Sequence, residues 1–138
     1  MNLRIGYQMA KKTVLATDML SATPKKIFDV VGEVEVIVFG HIKDTVVADG
    51  GALTAEVGIS GNTASLIAQT AEAVLIQGNM WATNTPANPL AMPASKLLSD
   101  GADIYFTTGT VDANAADGEI EMFCLWRALS ADGKVKAA

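Results

Sequence analysis

The sequence predicts an all-β protein, a single antiparallel β-sandwich or jelly-roll-like domain with one short helix near residues 62–69 and extended arm or loop segments. Its 138 residues fit one compact domain. Apolar residues alternate with other residues in several stretches, which is the period-two pattern of β-strands. Turn signals that contain glycine, asparagine or aspartate separate these stretches at short intervals, as is typical of sandwich folds.

Three strands are predicted in the amino-terminal part. Residues 12–20 are rich in Thr and Val, and residues 24–31 form a second extended run. Residues 33–39 alternate strictly, with three valines on one face and Glu, Ile and Phe on the other. We expect an amino-terminal arm or first strand over residues 1–20, a β domain over residues 21–132, and a short polar tail over residues 133–138.

Glycine-containing turns predict two hairpins farther along the chain. Residues 45–47 and 53–59 flank Ala48-Asp49-Gly50-Gly51, where glycine tolerates a positive φ. Residues 103–111 and 119–129 are joined by a segment that ends in Asp117-Gly118. Because residues 119–129 are apolar on both faces, this strand is expected at the centre of a sheet.

The middle of the chain predicts the short helix and a long loop. Asn62 or Ser60 can cap the first amides of a helix over residues 62–69, and Ala and Leu favour its propagation. Residues 83–93 contain three prolines, which lack amide donors and exclude a central strand or a helix. This segment is therefore predicted to be an irregular arm or loop.

Composition and charge restrict the classes of function. The net charge is −5 and the pI about 4.7, and Lys and Arg form no run beyond two pairs, so direct binding of nucleic acid is disfavoured. The longest dense apolar stretch, residues 34–42, is far shorter than the roughly 20 residues of a spanning helix, so no membrane segment is expected. Charged residues within the first twenty positions also disfavour a secretory signal.

The chain is more apolar than an ordinary soluble domain. Hydrophobic residues make up 50% of it, charged residues only 18%, and the mean hydropathy is +0.30. A monomer of about this size buries only about 70% of its unfolded surface, so many apolar side chains would stay exposed. We expect them to be covered by other subunits in a homo-oligomer. A well-filled single core with exposed alanines is the alternative.

Signatures of catalysis are weak. Ser60 follows a strand between glycines, like a nucleophile elbow, but Asn62 occupies the place of the last glycine, and His41 is the only histidine that could act as its base. The acid pairs Glu33/Glu35 and Glu119/Glu121 are typical of a solvated sheet face. We therefore expect no enzymatic activity.

Metal and cofactor signatures are also missing. Asp112 and Asn114 begin like a calcium loop, but the following positions lack the required ligands. One His and one Cys cannot form a tetrahedral zinc site, and no cofactor is expected. Cys124 lies in an alternating apolar stretch, which indicates a buried core thiol.

Trp81 and the proline-rich segment after it form the candidate interface. Prolines stiffen an extended segment before it binds a partner and so lower its ordering cost. The predicted contact residues are Trp81, Pro86, Pro89, Leu90 and Met92. A core tryptophan is the alternative for Trp81, and a sugar-binding platform formed by Trp81, Trp126 or Tyr105 is another.

Four sequence segments resemble small structural proteins from the head and tail modules of tailed bacteriophages. They are GEVEVIVFGHI (32–42), GALTAEVGISGNTASLIAQT (51–70), GNMW (78–81) and GEIEMFCLWRALS (118–130). The resemblance implies a virion protein without enzymatic activity, such as a decoration (cement) protein on the outer capsid surface. Such a protein is commonly a trimer, and its partners would be further copies of itself and the major capsid protein. A tail or head-fibre component and a carbohydrate-binding β-sandwich module are the alternatives.

Overall fold

The computed structural model describes residues 6–50, 52–109 and 114–138, and it confirms the all-β sandwich. Its helical segments are two short 3₁₀ turns, Ala16–Met19 and Glu72–Val74. Across the described ranges, no helix has the length and apolar character needed to cross a membrane. The described residues form ten strands: β1 (Gln8–Leu15), β2 (Lys25–Val31), β3 (Val34–Asp49), β4 (Thr54–Ile59), β5 (Asn62–Ala71), β6 (Met80–Trp81), β7 (Lys96–Leu98), β8 (Ile104–Thr108), β9 (Asn114–Ala128) and β10 (Lys134–Ala137).

The strands form two antiparallel sheets of five strands each. The first sheet has the order β1-β9-β3-β6, and β7 also pairs with β3. The second sheet has the order β10-β2-β8-β4-β5. The longest ladder joins β3 to β9 and is regular from Val34↔Ala128 to Ile42↔Ile120. The prediction that residues 119–129 occupy the centre of a sheet is confirmed, because β9 lies between β1 and β3.

A single hydrophobic core fills the space between the sheets. Val34, Val36 and Val38 share one face of β3, as predicted, and the structure turns this face inward, where all three are buried. The second sheet contributes Phe28 and Phe106 to the same cluster. Because each sheet buries its inner face against the other, the outer faces are the surfaces available for function.

The predicted helix over residues 62–69 is wrong, since these residues belong to β5. Ser60 and Gly61 form a two-residue turn that brings Asn62 opposite Ile59, and Gly61 has a φ of 84°. Ser60 is therefore a turn residue and not a helix cap. The helical preference of Ala and Leu yields to pairing with β4, which buries Ile67 and Thr70.

Both predicted hairpins are also wrong. Strand β3 belongs to the first sheet and β4 to the second, so the connection that contains Gly50 crosses between sheets. The same holds for β8 and β9. Asp117 and Gly118 lie inside β9, where the register shifts and Gly118 has a φ of 144°, as in a β-bulge. Asp112, which was considered and rejected as the start of a calcium loop, lies outside the described residues.

The chain ends differ in part from their predicted roles. Residues 133–138 were expected to form a polar tail, but β10 pairs with β2 along Lys134↔Val31 to Ala137↔Phe28 and buries Val135. Alternating side chains let this short segment close one edge of the second sheet. Within residues 1–20 the expected first strand is β1, which pairs with β9, but it ends at Leu15, so the strand predicted over residues 12–20 is wrong from Ala16 onward, where a 3₁₀ turn begins.

Candidate functional surface

The outer face of the first sheet is apolar at its centre. Cross-strand pairing places Met9 beside Leu125 and Leu125 beside Ile37, and in the next row Phe123 stands beside Phe39. The rings of Phe39 and Phe123 stack with centroids 5.1 Å apart and an interplanar angle of 19°. We call these five residues the apolar face.

The apolar face is only partly covered by the rest of the chain. Met9 is 58% exposed, and Phe39, Phe123 and Leu125 are half-buried, whereas Ile37 is 9% exposed. On the opposite side of the same strands, Val34, Val36 and Val38 of β3 and Ile120 and Met122 of β9 are buried in the core between the sheets. Both faces of β9 are thus apolar, but the rest of this chain covers only one of them.

Charged residues border the apolar face at one end. Glu121 forms ion pairs with Lys11 at 3.5 Å and with Lys43 at 4.0 Å. His41 is the neighbour of Glu121 across the β3-β9 ladder. The lysine side chains are about half-exposed. Exposed pairs of this kind add little stability, so we interpret them as a polar rim around an apolar centre.

A second polar cluster borders the opposite end of the apolar face. Arg127 on β9 donates a short hydrogen bond to Glu35 on β3, and its guanidinium lies 5.4 Å from the centre of the Tyr7 ring. Hydrogen bonds from Ser95 and Arg127 lower the pKa of Glu35 below its ordinary value. Partial desolvation is the main cause that raises the pKa of Tyr7. This cluster connects β3 and β9 with the segments that precede β1 and β7.

The proline-rich loop runs along the edge of the apolar face. Strand β6 pairs with Gly40 and His41, and β7 pairs with residues 34–36, so the loop between them passes the β3 edge near Ile37. Backbone hydrogen bonds between Met80 and Ala87 attach its first half to β6.

Four of the five predicted interface residues lie in this loop and are at least partly accessible to solvent. Met92 is 61% exposed, Pro89 is exposed, and Pro86 and Leu90 are half-buried. Leu97, at the end of the loop, is 73% exposed, although it was not among the predicted interface residues.

The prediction that Trp81 is an interface residue is wrong. Its side chain is completely buried, stacks edge-on against Phe106 at 6.0 Å, and donates a hydrogen bond from Nε1 to Thr70 Oγ1 at 2.8 Å. Its neighbours in β6 and the prolines after it are compatible with an exposed arm, but the indole fills the core between the sheets. The core alternative considered for Trp81 is therefore the right one.

The candidate catalytic groups are not brought together. His41 faces outward on the first sheet, whereas Ser60 lies in the β4-β5 turn of the second sheet, so the two side chains stand on different layers. Glu35 and Glu121, one from each acid pair, are held in ion pairs with basic residues. Among the described residues, no group of three or more His, Cys, Asp or Glu side chains could hold a metal ion.

Cys124 is buried, as predicted. Desolvation raises the pKa of its thiol to about 12, so the nucleophilic thiolate is scarce at neutral pH.

Two of the three predicted sugar platforms are also withdrawn from solvent. Trp81 is fully buried and Trp126 is 8% exposed, whereas Tyr105 points outward from β8 and is half-buried.

Comparison with known proteins adds no assignment, since no protein-family model and no curated protein matches the chain.

The paired phenylalanines are functional candidates that the sequence interpretation missed. Apolar side chains on both faces of residues 119–129 predicted a central strand, and Phe39 was placed on the face of residues 33–39 opposite to the valines. The register of Phe39 against Phe123 was the missing information, because it concentrates the outer apolar residues of two strands at one place.

Proposed function

We propose that the chain is a structural protein of a tailed-bacteriophage virion, a decoration protein that stabilises the outer capsid surface by bridging neighbouring major capsid subunits. The observation that carries the proposal is the apolar face, in which β9 and β3 present stacked Phe39 and Phe123 on the side away from the core. An apolar centre with a charged rim is the arrangement of a protein–protein contact surface.

The mechanism is geometric and involves no catalytic step. A stable interface buries about 800 Å² on each partner, and apolar area contributes about 25 cal/mol per Å² before the costs of association. The same contact repeated at many equivalent joints of a shell would raise the resistance of the whole shell to rupture. The contact surfaces are the apolar face, with Met9 on the amino-terminal strand, and the exposed loop residues around Pro89 and Met92.

Self-association is part of the proposal. Leu97, which pairs with Glu35 on β3, adds exposed apolar area beside the apolar face, and Met92 in the proline-rich loop is also exposed. We propose that copies of the chain form a trimer through part of this surface and contact the major capsid protein through the remainder. A tail or head-fibre component would use the same surface, and the location of the protein in images of the particle distinguishes the two.

The direct test uses capsids assembled without the chain. Purified protein should bind them and raise the temperature at which the shells rupture. The Phe39→Ser/Phe123→Ser variant should lose binding, whereas Val31→Ser, which removes an exposed apolar side chain from the second sheet, should bind like wild type.

Two results would contradict the decoration function. One is the absence of binding by the wild-type chain, and the other is binding without any gain in resistance to heat or chelators. Equal binding by the double variant and the Val31→Ser control would show that the apolar face is not the contact surface.

A further inference from the structure

A cleft lies on the outer face of the second sheet, on the opposite side of the sandwich from the apolar face. Tyr105, which stands between Lys26 of β2 and Gly58 of β4 in the sheet register, lines this cleft. Pro24 and Ile59 continue the apolar lining, and the β4-β5 turn forms the other wall. The volume of the cleft is about 290 Å³.

The wall of the cleft depends on the absence of a side chain at position 58. A Cβ atom on Gly58 would lie 2.2 Å from the carbonyl oxygen of Asn62 and 2.5 Å from the carbonyl carbon of Thr63. The start of β5 can therefore fold closely over β4 and stand beside Tyr105. Thr63 is fixed there because its hydroxyl donates a short hydrogen bond to the Glu56 carboxylate.

The chemistry of the lining selects a class of ligand. The lining combines the aromatic side chain of Tyr105 and the apolar Pro24 and Ile59 with Ser60, which carries a hydroxyl group, and Gly61. None of the six described residues that line the cleft carries a formal charge. A ligand that fits has an apolar C–H face to lie on Tyr105 and hydroxyl groups at its edge to bond with Ser60.

We propose that this cleft binds one neutral sugar residue, which stacks on the Tyr105 ring and hydrogen-bonds to Ser60. The volume is at the lower end of small-molecule sites, which suits a single ring better than an extended oligosaccharide. The site is independent of the proposed virion function, since the two outer faces of a sandwich point in opposite directions. A molecule held to a shell by its first sheet would keep this cleft open to solvent.

The experiment is a titration of the full ¹⁵N-labelled chain, followed by two-dimensional NMR, with glucose, galactose and N-acetylglucosamine, each added at millimolar concentrations. At least one sugar should shift the amide signals of Ser60, Gly61 and Tyr105. Tyr105→Ala should weaken its binding by about tenfold, Tyr105→Phe should change it by less than about threefold, and Ser60→Ala should weaken it by about threefold. Val31→Ser, on the same sheet but away from the cleft, should bind like wild type.

Two outcomes would overturn the proposal. They are no shift with any of the neutral sugars, or shifts that Tyr105→Ala leaves unchanged. Because Ser60 is an exposed turn residue, Ser60→Ala tests the site even if Tyr105→Ala fails to fold.

Discussion

Replacing Thr70 with valine should destabilise the protein by removing the hydrogen-bond partner of a buried tryptophan. Thr70 and Trp81 are both fully buried, and the Thr70 hydroxyl accepts from Trp81 Nε1 at 2.8 Å while it donates to the Ala68 carbonyl at 2.8 Å. Valine has a similar volume, so the substitution leaves the packing intact but leaves the indole N–H without an acceptor. Ala68 is exposed, and water can replace the lost donor there.

The expected cost is that of one buried unsatisfied donor, about 1–3 kcal/mol. Urea unfolding, followed by far-UV circular dichroism at fixed protein concentration, measures it. With a denaturant slope of about 2 kcal/mol/M, a loss of about 2 kcal/mol lowers the midpoint by about 1 M. Thr70→Ser keeps the acceptor and should cost less, about 1 kcal/mol for the missing methyl group.

A double-mutant cycle separates the hydrogen bond from packing. Trp81→Phe removes the donor, so Thr70→Val should cost at least about 1 kcal/mol less in that background than in wild type. The reasoning is refuted if Thr70→Val unfolds within about 0.5 kcal/mol of wild type, or if its cost is the same in both backgrounds.

Three further predictions concern other parts of the sandwich. Ser95 and Arg127 lower the pKa of Glu35 below its ordinary value of 4.5, so the stability that this carboxylate contributes is complete above that pH and is lost as the pH falls through the lowered pKa. Glu35→Gln should therefore flatten the acid side of a plot of unfolding midpoint against pH, and an unchanged slope would contradict the assignment. Burial raises the pKa of the Cys124 thiol to about 12, so a thiol reagent at pH 8 should label it only after urea unfolds the chain; rapid labelling of the native protein would contradict this. Gly58→Ala should cost about 1–3 kcal/mol in urea unfolding because the new methyl group meets the Asn62 and Thr63 backbone, whereas Gly61→Ser, which meets open space but keeps a φ of 84°, tests the backbone strain alone. Wild-type stability of Gly58→Ala would contradict the close approach of β5.

The strands with the most regular alternation were predictable from the sequence. The alternation of residues 33–39 identifies the strand and the face that its valines share, because successive side chains of a strand point to opposite faces. The central position of residues 119–129 was predicted from apolar residues on both faces and is confirmed, although in the structure only one of these faces packs in the core. The prolines after position 83 correctly excluded regular structure from the β6–β7 loop.

The errors arose where local preference and long-range pairing disagree. Ala64, Leu66 and Ala68 favour a helix in isolation, but the Ser60-Gly61 turn and the ladder with β4 make residues 62–71 a strand. Gly118 marks a change in backbone direction, and sequence alone does not distinguish a β-bulge from a hairpin turn.

The candidate surface was less accessible to sequence reasoning than the fold. Trp81 and Phe123 both lie in apolar strands, yet one fills the core and the other faces outward. Their positions depend on the pairing of β6 with Gly40 and of β9 with both neighbours, which is a property of the whole sheet. The interface predicted from the sequence consisted of Trp81 and the proline-rich loop. The structure adds Phe39 and Phe123 to the exposed apolar surface.

Sedimentation velocity of the purified chain over a wide concentration range tests most directly whether other subunits cover the surplus apolar surface. The account predicts a trimer for wild type and for Val31→Ser, and dissociation to the 14.4 kDa monomer for Phe39→Ser/Phe123→Ser with an unchanged circular dichroism spectrum. A wild-type chain that sediments as a monomer at every concentration would contradict it.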